Sequence, residues 1–421
     1  MQLLIQQSVI GGPWQLYRRL QRDANALRRI TERTASRQVF RSLSLLGRVV
    51  LKTEEQVEPS ELVWTDTREE KVNLAPPSCN RELPEIIRCR IGPYALKNSF
   101  VALNRRVRLI PPGPVPFDEH NNLLAYALRP KHYLNPFVHV PLASLFRSQI
   151  CSMPLNGPKL GRACLLTNAW NRTYHHWVAD LLPQIVILEE AGVASRDGKV
   201  KFIIPKSPAR WQLESLELLG VPTTSLVRID AQTFVEELLM PSFARREIVG
   251  GGWSVVSPGI LRKLRERMYE GCGVEAHPKT RPHSKVYISR RMALGRQVIN
   301  ERELEQSLTR LGFRIAVTET MSYAEEVRLF SEAEIIVGAG GSGLSNVIFC
   351  RDKVKVVEIA ANEPGSKYPD STDYSLSAGL GHGFSVYLAK PIPRLAPNRF
   401  DLAVDVPDFC RFLQKVMETS V

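Results

Sequence analysis

The 421 residues are enough for two or three domains, each with a core of its own. Apolar, charged and glycine contents are ordinary for a globular protein, and no run approaches 18 uncharged apolar residues, so no membrane span is predicted. The formal charge is +13, but ten Lys or Arg against two acids fall between Tyr17 and Lys52, which leaves the rest only mildly basic and argues against a nucleic-acid groove spread over the chain.

Met1 to Ile10 lack a basic start ahead of their apolar residues and Gly11-Gly12-Pro13 break the run, so no cleaved secretory signal is expected. The seven cysteines are scattered, without Cys-x-x-Cys spacing, which predicts neither a disulfide framework nor a zinc site and suits a reducing cytoplasm. No Asp-x-Asp triplet or His/carboxylate cluster points to a divalent metal.

In chain order, residues 14–52 read as a basic helical extension, with Trp14, Tyr17, Leu20, Leu27, Ile30, Phe40 and Leu43 at helical spacing among arginines. Such a helix either lies on an anionic membrane surface or packs on its own domain. Residues 53–120 are punctuated by prolines and predict short strands and loops.

From about residue 160 strand and helix alternate. Strands are predicted at Arg162 to Thr167, Lys199 to Ile204 and Phe234 to Met240; helices at Thr173 to Ala191, interrupted by Pro183, and at Pro208 to Leu219 before Gly220. Residues 245–256, with three consecutive glycines, read as a hinge or mobile loop, and Ser257-Pro258 opens a helix as N-cap and first residue. A second series follows, with strands at Val286 to Ser289, Phe313 to Val317, Ile335 to Val337, Val354 to Ile359 and Phe384 to Ala389. Asn300/Glu303 and Ser322/Glu325 are expected as capping boxes, and Pro407 to Met417 as a final helix.

The expected organisation is a basic extension (1–52), an N-terminal Rossmann-like acceptor domain (53–245), a hinge and helix (246–283), a C-terminal Rossmann-like nucleotide-sugar domain (284–393) and a C-terminal helix (394–421). Two βα series joined by a hinge suggest two domains facing a cleft.

Two stretches carry chemistry. In the first, Gly338, Gly340, Gly341 and Gly343 follow a short apolar strand, and glycines let backbone amides converge on an anion without a lysine. A helix begun at Leu344 would aim its free N–H groups at the same spot. Gly338-x-Gly340-x-x-Gly343 also matches the dinucleotide fingerprint, with Glu358 where a ribose-binding acid would stand. That keeps an NAD(P)-dependent oxidoreductase open beside a nucleotide-sugar site, although fewer than 80 residues follow the turn. A ligand-free strand-to-helix turn is the third reading. In the second stretch His176 and Asp180 are four residues apart and share a helix face, as a general base and its partner would or as an ordinary surface pair would. His175 reads as structural.

Together these stretches resemble glycosyltransferase family 61. The resemblance rests on His176-Trp177-x-x-Asp180-x-x-Pro183, then Tyr287-Ile-Ser-Arg290-Arg291 with Arg296 and Asn300-Glu301, then Tyr323-Ala-Glu-Glu326-Val with Leu329-Phe330 and Ala333, and Gly341-Ser-Gly343-Leu344-Ser-Asn346, in that order over roughly residues 160–365. It implies a GT-B fold of two Rossmann-like domains, inverting transfer from a nucleotide sugar to a hydroxyl of a glycan or lipid-linked acceptor in polysaccharide biosynthesis, and usually no metal and no further cofactor. Asp180 is then the expected base with His176 second, and Arg290, Arg291 and Arg296 the charges on the leaving diphosphate, at least one of them plain surface charge. Gly340, Gly341, Ser342, Gly343 and Leu344 then line the phosphates, Asn346 either braces the turn or touches phosphate, and Glu358 either meets the ribose or simply flanks a strand. Gly340 stands where the family often has histidine, Ser342 where it has alanine, and Glu326 where glutamine is common, so a non-catalytic nucleotide- or glycan-binding relative also stays open. The expected location is cytoplasmic, peripheral at the inner face of a membrane, with no nucleic acid as partner.

Overall fold

A computed structural model describes residues 50–111, 114–127, 158–168, 170–193, 198–251, 253–276, 282–351, 353–361, 372–394 and 400–419. The basic extension expected over residues 14–52 lies outside them except for Val50–Lys52, which form a strand. The described chain packs as two units, one of residues 50–72 and 94–273 and one of residues 73–93 and 274–419. Helix Pro258–Cys272 therefore belongs with the first unit, and residues 73–93 with the second.

The first unit is built on a nine-stranded sheet. Its strands are β1 (Val50–Lys52), β2 (Leu62–Thr65), β3 (Phe100–Ile110), β4 (Val115–Phe117), β5 (Asn122–Leu124), β6 (Lys159–Leu165), β7 (Lys201–Ile204), β8 (Leu226–Arg228) and β9 (Thr233–Pro241). They lie in the order β1-β5-β4-β3-β9-β6-β7-β8, with β2 also on β3. Only β9, β6, β7 and β8 form the parallel run that the βα pattern predicts. β3 is antiparallel to β9, and β3, β4 and β5 form an antiparallel meander. For the meander the reason is the length of the connections: a handful of residues can join antiparallel neighbours, whereas a parallel pair needs a crossover of a dozen or more. The turn from β4 to β5 is held by the Asp118 carboxylate, which accepts from His120 N and Asn122 N at 3.0 and 2.7 Å, with Asn121 in the left-handed region at φ 65°.

Helix α1 spans residues 174–190 and is buried along nearly all of its length, from Trp177 to Leu188. Its middle is irregular: over Trp177–Leu181 the bonding widens by one residue, so that Leu182 N–H donates to Trp177 O. Pro183 has no N–H to return to the carbonyl four residues back, and the wider turn accommodates that missing donor. Helices α2 (Arg210–Leu218) and α3 (Pro258–Cys272) pack against one another, and α3 also packs on α1. Ser257 caps α3 by accepting from Ile260 N at 3.1 Å, and Gly273 ends it at φ 64°. The stretch expected as a hinge is a hairpin instead: Arg245–Glu247 pair antiparallel with Ser254–Val256, and Gly250 and Gly251 provide the positive φ of the turn.

The second unit carries β10 (Ser284–Ile288), β11 (Phe313–Ala316), β12 (Ala333–Ala339), β13 (Lys355–Ala361), β14 (Gly383–Pro393) and β15 (Phe400–Ala403) in the order β11-β10-β12-β13-β14-β15. The first five are parallel and β15 is an antiparallel edge. Ser78–Cys79 adds a short parallel partner to β14. Numbered within this unit the order is 2-1-3-4-5, a doubly wound sheet whose winding reverses between β10 and β12. Its helices are α4 (Glu301–Arg310), α5 (Tyr323–Ser331), α6 (Thr372–Gly379) and α7 (Val406–Glu418). Leu304, Leu308, Phe409 and Leu413 from α4 and α7 bury Tyr287, Ile335, Val337 and Val357 from the strands.

The Ser322/Glu325 capping box forms as expected, with Ser322 Oγ accepting from Glu325 N and Glu325 accepting from Ser322 N at 2.7 Å. Asn300 departs from its expected role. Its side-chain amide donates to Val404 O at 2.8 Å and accepts from Val404 N at 3.1 Å, so it ties the chain end to α4 rather than capping that helix.

Gly271 is required by packing rather than by backbone angle. A Cβ there would press on the backbone carbonyl of Leu218 at the end of α2, which cannot swing away as a side chain would. Alanine is the better helix former by ~1 kcal/mol. Overpacking a close helix crossing costs about 1–3 kcal/mol. Gly271→Ala is therefore expected to lower the urea unfolding midpoint, and a raised midpoint would show that α2 and α3 do not approach this closely.

Candidate active site

In the first unit the wide turn of α1 brings three titratable groups and an arginine together. His176 Nδ1 lies 2.7 Å from Asp180 Oδ2, the i,i+4 pairing that the spacing predicts. Asp180 is 3 % exposed, and its other oxygen faces Arg245 Nε at 3.5 Å. Arg245, equally buried, also donates from Nη2 to His175 Nε2 at 3.1 Å. Arginine can only donate, so that His175 nitrogen carries the lone pair and the ring is neutral.

The electrostatics agree. Burial, then the His176 and Arg245 charges, push His175 down to about 3. Burial alone would raise Asp180, but the Arg245 charge and the His176 hydrogen bond outweigh it and hold the carboxyl below its ordinary value. Asp180 is thus an ionised, doubly paired group. His176 is the member that keeps contact with solvent, with its side chain 19 % exposed. Because Asp180 accepts the Nδ1 proton, Nε2 of neutral His176 is the nitrogen left to act as a base. The Trp170 ring stacks on the imidazole with centroids 4.8 Å apart. Arg245 and Trp170 were absent from the sequence-level assignment. No local spacing signals Arg245, which lies seventy positions beyond His175.

In the second unit the winding reversal between β10 and β12 leaves a crevice at their C-terminal ends, the usual ligand position in open α/β sheets. Arg290 follows β10 there, and the glycine turn follows β12. The guanidinium of Arg290 donates from Nε to Arg296 O at 2.9 Å and from Nη2 to Gly295 O at 2.6 Å. Its backbone N–H is held by Glu301 Oε1 at 2.6 Å, which also accepts from the buried Tyr287 hydroxyl at 2.9 Å. Burial and the neighbouring Arg296 charge pull Arg290 down to about 10, still protonated at neutral pH. Both bonded donors go to neutral carbonyls, so the positive charge remains available to an anion.

The glycines of the turn differ in what they do. A Cβ on Gly341 would meet the Arg290 guanidinium, and one on Gly340 would meet the Glu358 carboxylate. Gly340 gives its N–H to Ile359 O at 3.0 Å, and Leu344 N–H bonds back to Gly341 O, so neither amide is left for a phosphate. The amides at Gly341, Ser342 and Gly343 open a 3-10 stretch, Ser342–Phe349, rather than a longer α-helix. Ser342 and Gly343 are its half-exposed residues.

For Asn346 and Glu358 the geometry matches the bracing and strand alternatives rather than a ligand contact. Asn346 is fully buried and donates to Glu326 Oε2 at 2.8 Å, bracing the turn on α5. Glu358 sits within β13, opposite Gly338, and is 3 % exposed, so its carboxylate supports the turn from beneath. Arg291 is 54 % exposed, with its guanidinium 4.0 Å from the Glu305 carboxylate. Arg296 acts through its backbone, in the left-handed region at φ 53°, which turns its carbonyl toward Arg290. Among the described residues no group of three or more His, Cys, Asp or Glu could hold a metal ion, and no helix is long and apolar enough to cross a membrane.

Residues 174–357, which take in both constellations, match the family model described as Glycosyltransferase 61. Over those residues, which make up somewhat less than half of the chain, it is similar to glycosyltransferase family 61. The glycine turn follows the third strand of its sheet, unlike a dinucleotide fingerprint, which follows the first. None of the curated proteins matches the chain. Among solved structures it is similar to the bacterial iron-containing dodecameric glycosyltransferase TibC from enterotoxigenic E. coli H10407, at 12 % identity over 64 % of this chain and 68 % of that one. The TM-score of that comparison, 0.22, is too low to carry an argument.

Two outcomes follow from this geometry. His175 has a folded pKa of about 3 against an ordinary value near 6.5, so the unfolded chain takes up a proton that the folded chain refuses as pH falls between them. Stability is full above about pH 6.5 and declines below it, by ~1 kcal/mol per unit. His175→Gln is expected to flatten the urea stability profile between pH 6 and 4.5. The Asp180 contribution, present above the ordinary carboxylate range, is lost only below that window. An unchanged slope would mean that His175 titrates normally. The second outcome concerns Glu326. Gln can still accept from Asn346, so Glu326→Gln is expected to stay within about 1 kcal/mol of wild type, while Glu326→Ala loses about 1–3 kcal/mol in denaturant unfolding.

Proposed function

We propose that the protein is an inverting glycosyltransferase of the GT-B type, which transfers a sugar from a nucleotide-sugar donor to a hydroxyl of a glycan or lipid-linked acceptor, with His176 as the base and no metal required. The observation that carries the reading is the His176–Asp180 pair backed by Arg245. An inverting transfer needs one group to take the acceptor proton, and a buried carboxylate on Nδ1 makes Nε2 of His176 that group while offsetting the imidazolium charge that forms. Asp180, the base expected from sequence, becomes the orienting residue because Arg245 and His176 keep it ionised and enclosed.

In the proposed step the acceptor oxygen attacks the anomeric carbon and its proton passes to His176 Nε2. The bond from that carbon to the diphosphate oxygen breaks, and the electron pair leaves on the diphosphate. Arg290 supplies positive charge to that leaving group, together with the opening amides of Ser342–Phe349. The basic run at residues 14–52 supports action at the cytoplasmic face of an anionic membrane.

The test is transfer from a panel of UDP-, GDP- and CDP-sugars in the presence of chelator. His176→Ala is expected to lower kcat by about 10²–10⁴-fold with nucleoside diphosphate affinity unchanged. Arg290→Ala is expected to weaken that affinity by about 10–100-fold, the loss of a charged hydrogen-bonding partner. A His176→Ala enzyme with kcat near wild type would remove the base assignment. Activity abolished by chelator and restored by magnesium would remove the metal-independent reading.

A further inference from the structure

Arg290 cannot hold its position alone, and the chain between it and Gln297 is an unusual support. The two carbonyls that accept from its guanidinium belong to Gly295 and Arg296, and Arg296 has the left-handed φ of 53° that a side-chain-bearing residue rarely adopts. Such a conformation persists only where the surroundings over-determine it. Those surroundings are supplied by the far end of the sequence. Arg394, at the end of β14, donates from Nη1 to Leu294 O at 2.8 Å. Asp401, in β15, accepts from Gln297 N at 2.9 Å through Oδ1, and Leu402 N donates to Gln297 O at 2.7 Å. Gln297 in turn donates from its side chain to Ala293 O at 2.7 Å. The two pinned residues, Leu294 and Gln297, bracket the two carbonyls that hold the guanidinium.

Arg394 and Asp401 are themselves enclosed, each side chain 3 % exposed, with Arg394 Nη1 and Asp401 Oδ1 3.9 Å apart. A buried charge pair is a poor source of net stability, because desolvation offsets most of the attraction. Its value here is geometric: one member takes a carbonyl and the other an amide, on either side of the left-handed residue.

We infer that Asp401 and Arg394 are positioning residues for Arg290, clamping the 294–297 loop so that its carbonyls present the guanidinium to the donor's leaving phosphate. This rests on the proposed function for what Arg290 binds, but not for how Arg290 is held. Asp401 is the sharper probe, since it takes an amide next to the left-handed residue.

The experiment reads Arg290 directly, by hydrogen exchange of its Nε–H in nuclear magnetic resonance of the full chain, with the signal identified by its loss in Arg290→Lys. In wild type the Nε–H, bonded to Arg296 O, is expected to exchange slowly. In Asp401→Ala it is expected to exchange at least about tenfold faster, while the amide of Val337 in β12 of the same sheet is unchanged. Asp401→Asn, which keeps an acceptor for Gln297 N and is the gentler change for folding, should restore most of the protection. Nucleoside diphosphate affinity, read by calorimetry with UDP, GDP and CDP, should follow the same order of variants. Unchanged Arg290 exchange in Asp401→Ala overturns the clamp, and so does acceleration matched at Val337, which would mean general loosening. Wild-type protein that binds no nucleoside diphosphate, with the exchange pattern as expected, would sink the donor-site reading and leave the clamp standing.

Discussion

A guanidinium drawn out of water keeps its charge only if polar groups replace the solvent, and at Arg290 backbone carbonyls do so. Carboxylates in that place would have neutralised the charge and closed the site to anions. Carbonyls at 2.6 and 2.9 Å satisfy the donors and leave the charge in place. Several other features of the second unit follow from that choice. The loop must turn back on itself, which it does at Arg296. The neighbouring backbone must come close, which requires glycine at 341. The amide of Arg290 must be fixed, which Glu301 and Tyr287 do from beneath.

The first unit solves a related problem with opposite charge. Asp180 is buried, and a buried carboxylate without partners would protonate or destabilise the fold. Arg245 on one oxygen and His176 on the other keep it ionised. In the proposed mechanism the same contacts leave the role of base to the imidazole, whose remaining nitrogen is unengaged by the pair. His175 completes the arrangement by staying neutral and accepting from Arg245, so that one arginine organises both residues. The widened turn over Trp177–Leu181, set by Pro183, is the backbone feature that carries Asp180 into this position.

Glycine has two uses in the turn after β12 that look identical in a sequence. At positions 340 and 341 the missing Cβ makes room for the protein's own side chains, Glu358 and Arg290. At 343 it leaves half-exposed backbone at the start of a 3-10 stretch. The Gly-x-Gly-x-x-Gly spacing cannot separate these uses, because it records where side chains are absent and not what fills the space. Strand order does separate them, since a turn after the third strand of a 2-1-3-4-5 sheet is a switch-point element without being a dinucleotide fingerprint.

Features that depend on near neighbours could be read along the chain. The alternation of strand and helix from residue 160, the Ser322/Glu325 box, the Ser257-Pro258 start and the His176–Asp180 pairing all arise from residues within one or two turns of each other, so their spacing encodes them. The ordered motifs that resemble glycosyltransferase family 61 were legible for the same reason. Tertiary structure alone decided the rest: the antiparallel half of the first sheet, the partnership of Arg245 with Asp180, the burial of Glu358 and Asn346, and which of three neighbouring arginines turns inward. Each of these depends on a contact between distant parts of the chain. Burial and the proximity of a distant charge, rather than residue type, then set whether a carboxylate acts as base, brace or counter-ion.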